Sequence, residues 1–139
     1  MASVQVRYIV NDVDTAIKFY CEQLGFHEDM RRAPSFAMLS HGELRLVLSK
    51  PGVGPGGDSQ AMPDGTMPVP GGWNRFAIEV PDVASTVERL RTAGARFRGD
   101  IIVGVGGNQA IVEDPSGNPI ELFEPKRAEA RLNRDPSGC

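Results

Sequence analysis

The segment EDPSGNPIELFEP, residues 113–125, sets a carboxylate, Glu121, between apolar neighbours in a stretch patterned as a strand. A lone buried carboxylate is costly, so it protonates or finds a partner. The chemistry open to it is that of a metal ligand, a general base or a hydrogen-bond acceptor. A second polar group follows the single tryptophan, in WNRFAIEV, where the strand period of two puts Arg75 and Glu79 on one face. The same period puts Gln5 and Arg7 together in VQVRYIV. Arg75 is a permanent cation that can anchor an anionic or carbonyl oxygen. Trp73 either stacks on a planar ligand or anchors a loop where it enters the sheet. Asn108, with Gln109 beside it, opens a further strand and is expected at the cavity edge. Several polar groups converging in a cavity form a site more often than a core.

Other chemistries find little support. The stretch VGVGG lacks the lysine and Ser/Thr of a phosphate loop and precedes a strand, so it reads as a hairpin. Cys21 and Cys139 fit no metal or redox spacing. His27 opens a strand, His41 lies beside a turn glycine, and both are expected at the surface. The net charge is −3 and there is no basic block, which argues against nucleic acid and anionic membrane as partners. No run approaches the roughly 18 apolar residues of a membrane span. MASVQVRYIV lacks the pattern of a signal peptide. A reduced, cytoplasmic protein is the expectation.

The elements that position these residues come from an internal repeat. Val10-Asn11-Asp12-Val13 recurs as Val80-Pro81-Asp82-Val83, and Ile17 corresponds to Val87. In each copy a β-branched and aromatic stretch (4–10 and 73–80) leads to an aspartate suited to cap a helix. Val13, Ala16, Ile17, Tyr20 and Leu24, then Val83, Val87, Leu90 and Ala93, give each helix one apolar face. Gly25 and Gly94 suit the left-handed position past a helix end. Three strands follow in each copy, about 26–32, 35–40 and 43–49, then 95–103, 107–113 and 118–124. Asp114-Pro115-Ser116-Gly117 suits a type I turn. The predicted fold is α+β: two tandem βαβββ modules forming a curved mixed sheet with a concave cavity and helices outside. The expected boundaries are 1–49 for the first module, 50–72 for a linker or flap, 73–125 for the second module and 126–139 for a polar tail. The 50–72 segment holds seven glycines and five prolines. A loop of that length is a tether or a flap, and Met62 and Met67 would give a flap a soft apolar surface.

Paired βαβββ modules resemble the vicinal oxygen chelate superfamily, which includes glyoxalase I, extradiol dioxygenases and bleomycin-resistance proteins. Asp12 through Phe26 and Glu113 through Pro125 carry the resemblance, and MPDG (62–65) with PGGWNR (70–75) is similar to glyoxalase-like bacterial proteins. In metal-dependent members, ligands project from the first and last strands of each module. The resemblance, with Gly42 aligned to Gly117 to set the last strand of the first module, places Gln5, Leu46, Arg75 and Glu121 at those positions, where His or Glu is the family pattern. Arg45, alternating with Leu44 and Leu46, is then expected to point away. Only Glu121, and weakly Gln5, could serve a divalent cation, and Arg75 would repel one. No cofactor is therefore expected, with a divalent metal as the minor alternative. The strand pairing implied by the family makes Arg75 and Glu121 neighbours, so an ion pair takes the place of the metal, either sealed and only fixing the sheet or facing a ligand.

These residues imply a protein that binds a small organic molecule, with Arg75 and Glu121 at its centre and Gln5, Arg7, Trp73, Glu79 and Asn108 around them. The alternative is a lyase or isomerase acting on a carbonyl substrate, with Glu121 as base and Arg75 as electrophile. A dioxygenase fits least. A homodimer is implied by the resemblance.

Overall fold

A computed structural model of the chain describes residues 3–32, 34–52 and 60–132. The chain divides into two compact units, one of Met1–Gly72 with Asp114–Asn118 and one of Trp73–Glu113 with Pro119–Cys139. Part of the expected linker (53–59) and half of the expected tail (133–139), including Cys139, lie outside the described residues.

In the first unit the chain runs β1 (Val4–Ile9), α1 (Val13–Leu24), β2 (His27–Arg32), β3 (Phe36–His41) and β4 (Leu44–Ser49). The side chain of Asp12 accepts from the Thr15 N–H and starts α1, and Gly25 at φ 75° ends it. The five predicted apolar positions of α1 are all buried. Each buried Leu, Ile or Val side chain contributes roughly 1.5–3 kcal/mol, so this stripe rather than helix propensity holds the helix. The sheet order is β1-β4-β3-β2, with β1 parallel to β4 and the other pairs antiparallel. Tyr8, Leu39, Leu46 and Leu48 supply buried core residues from its strands.

The second unit repeats the plan with β5 (Ala77–Glu79), α2 (Val83–Thr92), β6 (Arg96–Phe97), β7 (Ile102–Val103), β8 (Gly107–Glu113) and β9 (Pro119–Pro125). Its order is β5-β9-β8-β6, with β7 also paired to β8 and β5 parallel to β9. Val83, Val87 and Leu90 of α2 are buried, as are Ile78, Ala110, Val112, Ile120 and Leu122 of the strands.

Two sequence expectations change. The strand expected over 73–80 contracts to Ala77–Glu79. The strand expected over 95–103 is two short pieces, because the chain bends at Gly99, whose φ of 81° leaves the extended region. Within the tail expected from residue 126, Ala128–Ala130 forms a 3₁₀ turn. The hairpin expected at VGVGG is present, closed by Gly104 N–H donating to Gly107 O at 3.0 Å. Gly107 itself is required by packing, since a Cβ there would meet the Phe123 ring at 2.8 Å.

The turn between β8 and β9 belongs to the first unit. Asp114 is buried there at 1% exposure. Its carboxylate accepts from the Tyr20 hydroxyl at 2.8 Å, from Asn118 Nδ2 at 2.9 Å and from the Ser116 and Asn118 backbone N–H groups. Asn118 also donates to Ile9 O at 2.7 Å and accepts from Gly71 N–H at 2.8 Å. The turn sequence therefore carries a buried polar network that its local turn chemistry does not foretell. Burial, and next the Asp114 charge, hold the Tyr20 hydroxyl well above the ordinary tyrosine range.

Candidate functional site

Strand register decides which side chains meet. Ala77 and Ile111 both pair with Glu121, so Glu121 shares a sheet face with residues at even spacing from them. Arg75, Gln109 and Phe123 lie on that face. Residues Ile120 and Leu122, alternate to Glu121, occupy the buried core.

Glu121 is not an isolated charge. Arg75 Nε and Nη2 reach its Oε1 at 3.1 and 3.0 Å. In the amide orientation that satisfies both ends, Gln109 donates to Oε2 at 2.9 Å. Arg75 Nη1 also donates to Trp73 O at 3.2 Å, which fixes the guanidinium plane against the chain entering β5. The side chains of Arg75 and Glu121 are 25% and 18% exposed, so the pair is half-buried rather than sealed. Beside it, Arg98 Nε donates to Glu113 Oε2 at 2.8 Å, and its guanidinium lies 4.6 Å from the Trp73 ring centroid. Trp73 retains 67% exposure while contacting Arg98, which is an exposed aromatic surface backed by a cation.

The other predicted site residues are distributed differently. Asn108 alternates with Gln109 and pairs with Glu124, so it is not brought to the Glu121 face. Gln109 takes that position. Glu79 accepts from the Leu132 N–H at 2.7 Å and lies 3.7 Å from Arg131 Nε, a set of partners distinct from the Arg75 cluster. Gln5 and Arg7 lie in the first unit, both exposed on β1, with Arg7 donating to Ser49 Oγ.

The first sheet also corrects a register. Arg7 pairs with Val47 as Ala77 pairs with Glu121, so Val47 corresponds to Glu121 in the internal repeat. Leu46 pairs with Val6 and is fully buried. Arg45, expected to point away, pairs with Gln5 and shares its face. Matching the turn glycines misplaced the alignment by one residue, and one residue inverts every side chain of a strand. The signal that could have located these residues was β1's own alternation, continued across a parallel partner.

The positions the resemblance assigns to metal ligands thus carry Gln5, Val47, Arg75 and Glu121. This set does not fit a divalent cation. It offers one carboxylate, whose two oxygens already face Arg75 and Gln109, and it includes a permanent cation. Among the described residues no group of three or more His, Cys, Asp or Glu is placed to hold a metal ion. His27 pairs with Asp29 at 2.8 Å and is 79% exposed, and His41 packs by Phe26, so neither joins the cluster. No helix of the described residues is long and apolar enough to cross a membrane.

A family model described as Glyoxalase/Bleomycin resistance protein/Dioxygenase superfamily matches residues 3–122. A curated relative, the probable chloroplastic lactoylglutathione lyase of Arabidopsis thaliana, is 32% identical over 130 residues, covering 87% of this chain and 35% of that protein. The chain therefore spans about a third of that relative's length. Among solved structures, TnmS3, an antibiotic binding protein from Streptomyces sp. CB03234, is 26% identical with a TM-score of 0.65, over 91% of this chain and 98% of that one. A superfamily member from Sphaerobacter thermophilus DSM 20745 has a TM-score of 0.68 at 22% identity, over 89% and 98% of the two chains, a likeness of fold.

Proposed function

The chain belongs to the Glyoxalase/Bleomycin resistance protein/Dioxygenase superfamily, and within it we propose a protein that binds a small organic molecule without the family metal. The observation that carries the proposal is the Arg75–Glu121–Gln109 cluster, a half-buried cation and carboxylate on a strand face beside an exposed tryptophan. A guanidinium offers five N–H donors, and Glu121 and Trp73 O do not use them all, so Arg75 can also hold a ligand carbonyl or carboxylate oxygen. Trp73, backed by Arg98, supplies a surface for a planar ring. The likeness to an antibiotic binding protein supports sequestration as the role. The proposed form is a cytoplasmic homodimer, and light scattering on the purified 15.0 kDa chain reads its mass directly.

Because Trp73 is the only tryptophan, its fluorescence reports on the cluster itself. Titration with carbonyl-bearing aromatic compounds is expected to give a saturable change, weakened about tenfold or more by Arg75→Ala through loss of a charge-assisted bond. Saturation that is unchanged in that variant would move the site elsewhere.

A second reading rests on the likeness to a lactoylglutathione lyase. In it Arg75 polarises a substrate carbonyl and Glu121 Oε2, released by Gln109, takes the adjacent proton. Exchange of substrate hydrogen with deuterated solvent tests this step. Exchange that vanishes in Glu121→Gln supports an isomerase or lyase, and binding without exchange supports sequestration.

A further inference from the structure

A pocket of about 420 Å³ lies wholly within the second unit, where the end of β9 meets the 3₁₀ turn. Its charged lining residues are Glu79, Glu124, Lys126, Arg127 and Arg131, with Val80 among its apolar ones. Its size falls within the range of small-molecule sites, roughly 300–1,000 Å³.

The two acids are committed to the fold. Glu124 Oε1 accepts the Val83 N–H at 2.8 Å, satisfying one of the open donors at the start of α2. Glu79 accepts the Leu132 N–H at 2.7 Å and lies near Arg131. These bonds offset both carboxylates, and for Glu124 the positive end of α2 adds to them. Lys126 and Arg127 differ: among the described residues neither side chain forms an ion pair, and both are exposed at the pocket. The β9 strand stops just before them, and the Lys126 N–H is tied to Gly106 O at 2.8 Å, so the backbone that carries them is held. The pocket thus has three cations, two acids already engaged by donors, and an apolar wall.

We propose that this pocket, built by Lys126, Arg127 and Arg131 at the end of β9, binds the oxyanion group of a small organic molecule, a carboxylate or a phosphate. The guanidiniums give planar forks for two oxygens and the lysine a point charge. The apolar wall takes the body of the ligand. This site stands apart from the Arg75–Glu121 cluster and does not rest on the function proposed for it.

The test uses the full chain, with inorganic phosphate and benzoate as probes, followed by backbone amide shifts. Saturable shifts are expected at Val80 and Ala128 for at least one probe, weakened about tenfold or more in a Lys126→Ala/Arg127→Ala double variant and weakened again by added salt. Both substituted residues are exposed, so the variant is expected to fold. Arg75→Ala is expected to leave the shifts unchanged, which separates this site from the cluster. Saturation by phosphate alone assigns a tetrahedral oxyanion, and by benzoate alone a carboxylate. No saturable shift at these amides with either probe, or shifts that survive the double variant, would overturn the proposal.

Discussion

Asp114 and Glu121 stand in one hairpin, and the fold treats them in opposite ways. Asp114 is 1% exposed and is held by a phenol, an amide and two backbone N–H groups, with no cation among these donors. Glu121 has 18% of its side chain exposed and is held by a guanidinium and an amide. The first is surrounded by fixed dipoles and locks a turn. The second sits on a sheet face with a charge partner that a ligand can share. The difference teaches that burial alone does not mark a functional carboxylate. Partner type and access do.

The repeat sharpens the lesson. Both helices bury their inner stripes and use an aspartate cap, Asp12 or Asp82, to accept from the third residue beyond it. The sheet faces turned away from the helices diverge. Where the second sheet sets Gln109 and Glu121, the first sets Phe36 and Val47. Duplication preserved the folding face and left the other free to specialise.

The largest expected effect comes from breaking the sealed side of the comparison. Asp114→Ala leaves the Tyr20 hydroxyl, Asn118 Nδ2 and two backbone donors short of an acceptor and is expected to cost about 3 kcal/mol or more. Urea unfolding measures it, and a loss below about 1 kcal/mol would show that the network is replaceable.

Next, Tyr20→Phe removes one of those bonds and is expected to cost about 1–3 kcal/mol. It also carries a pH signature. Folding raises the Tyr20 pKa above its ordinary value of 10.0, so the folded state binds this proton more tightly. The resulting stability is complete below that value and fades as pH climbs past it toward the raised folded pKa. Wild-type stability is therefore expected to fall in this alkaline window more steeply than that of Tyr20→Phe. Parallel curves would remove Tyr20 as the cause.

Smaller in stability, but larger in binding, is Glu121→Gln. A partly exposed pair contributes little to folding, so unfolding is expected to shift by about 1 kcal/mol at most, while ligand affinity changes about tenfold. A stability loss equal to that of Asp114→Ala would erase the contrast between the two carboxylates. Metal analysis after incubation with nickel, zinc and manganese is expected to find far less than one ion per chain. One ion per chain, lost in Glu121→Ala, would overturn the donor-set argument. The smallest effect is Trp73→Ala, with little change in unfolding because the ring is 67% exposed, and an affinity loss of about 1 kcal/mol if a ligand ring stacks there.

Much of this was legible. The apolar stripe Val13–Leu24, the Asp12 and Asp82 caps and the DPSG turn are local signals, and each formed its element within a residue or two of expectation. The neighbourhood of Arg75 and Glu121 followed from the resemblance, and the charge in an apolar strand marked where to look. Gln109 in place of Asn108, Val47 in place of Leu46, and Arg45 beside Gln5 were not legible, because each depends on which residue stands opposite in a partner strand.

The sequence by itself determined the two helices with their aspartate caps, the DPSG turn and the repetition of the plan, since these rest on contacts between residues close in the chain. Only the tertiary structure decided the register of strands and the fate of each carboxylate. A strand has two faces one residue apart, and hydrogen bonds to a distant partner choose between them. The same kind of distant contact, Tyr20 to Asp114, turned a turn residue into a buried anchor.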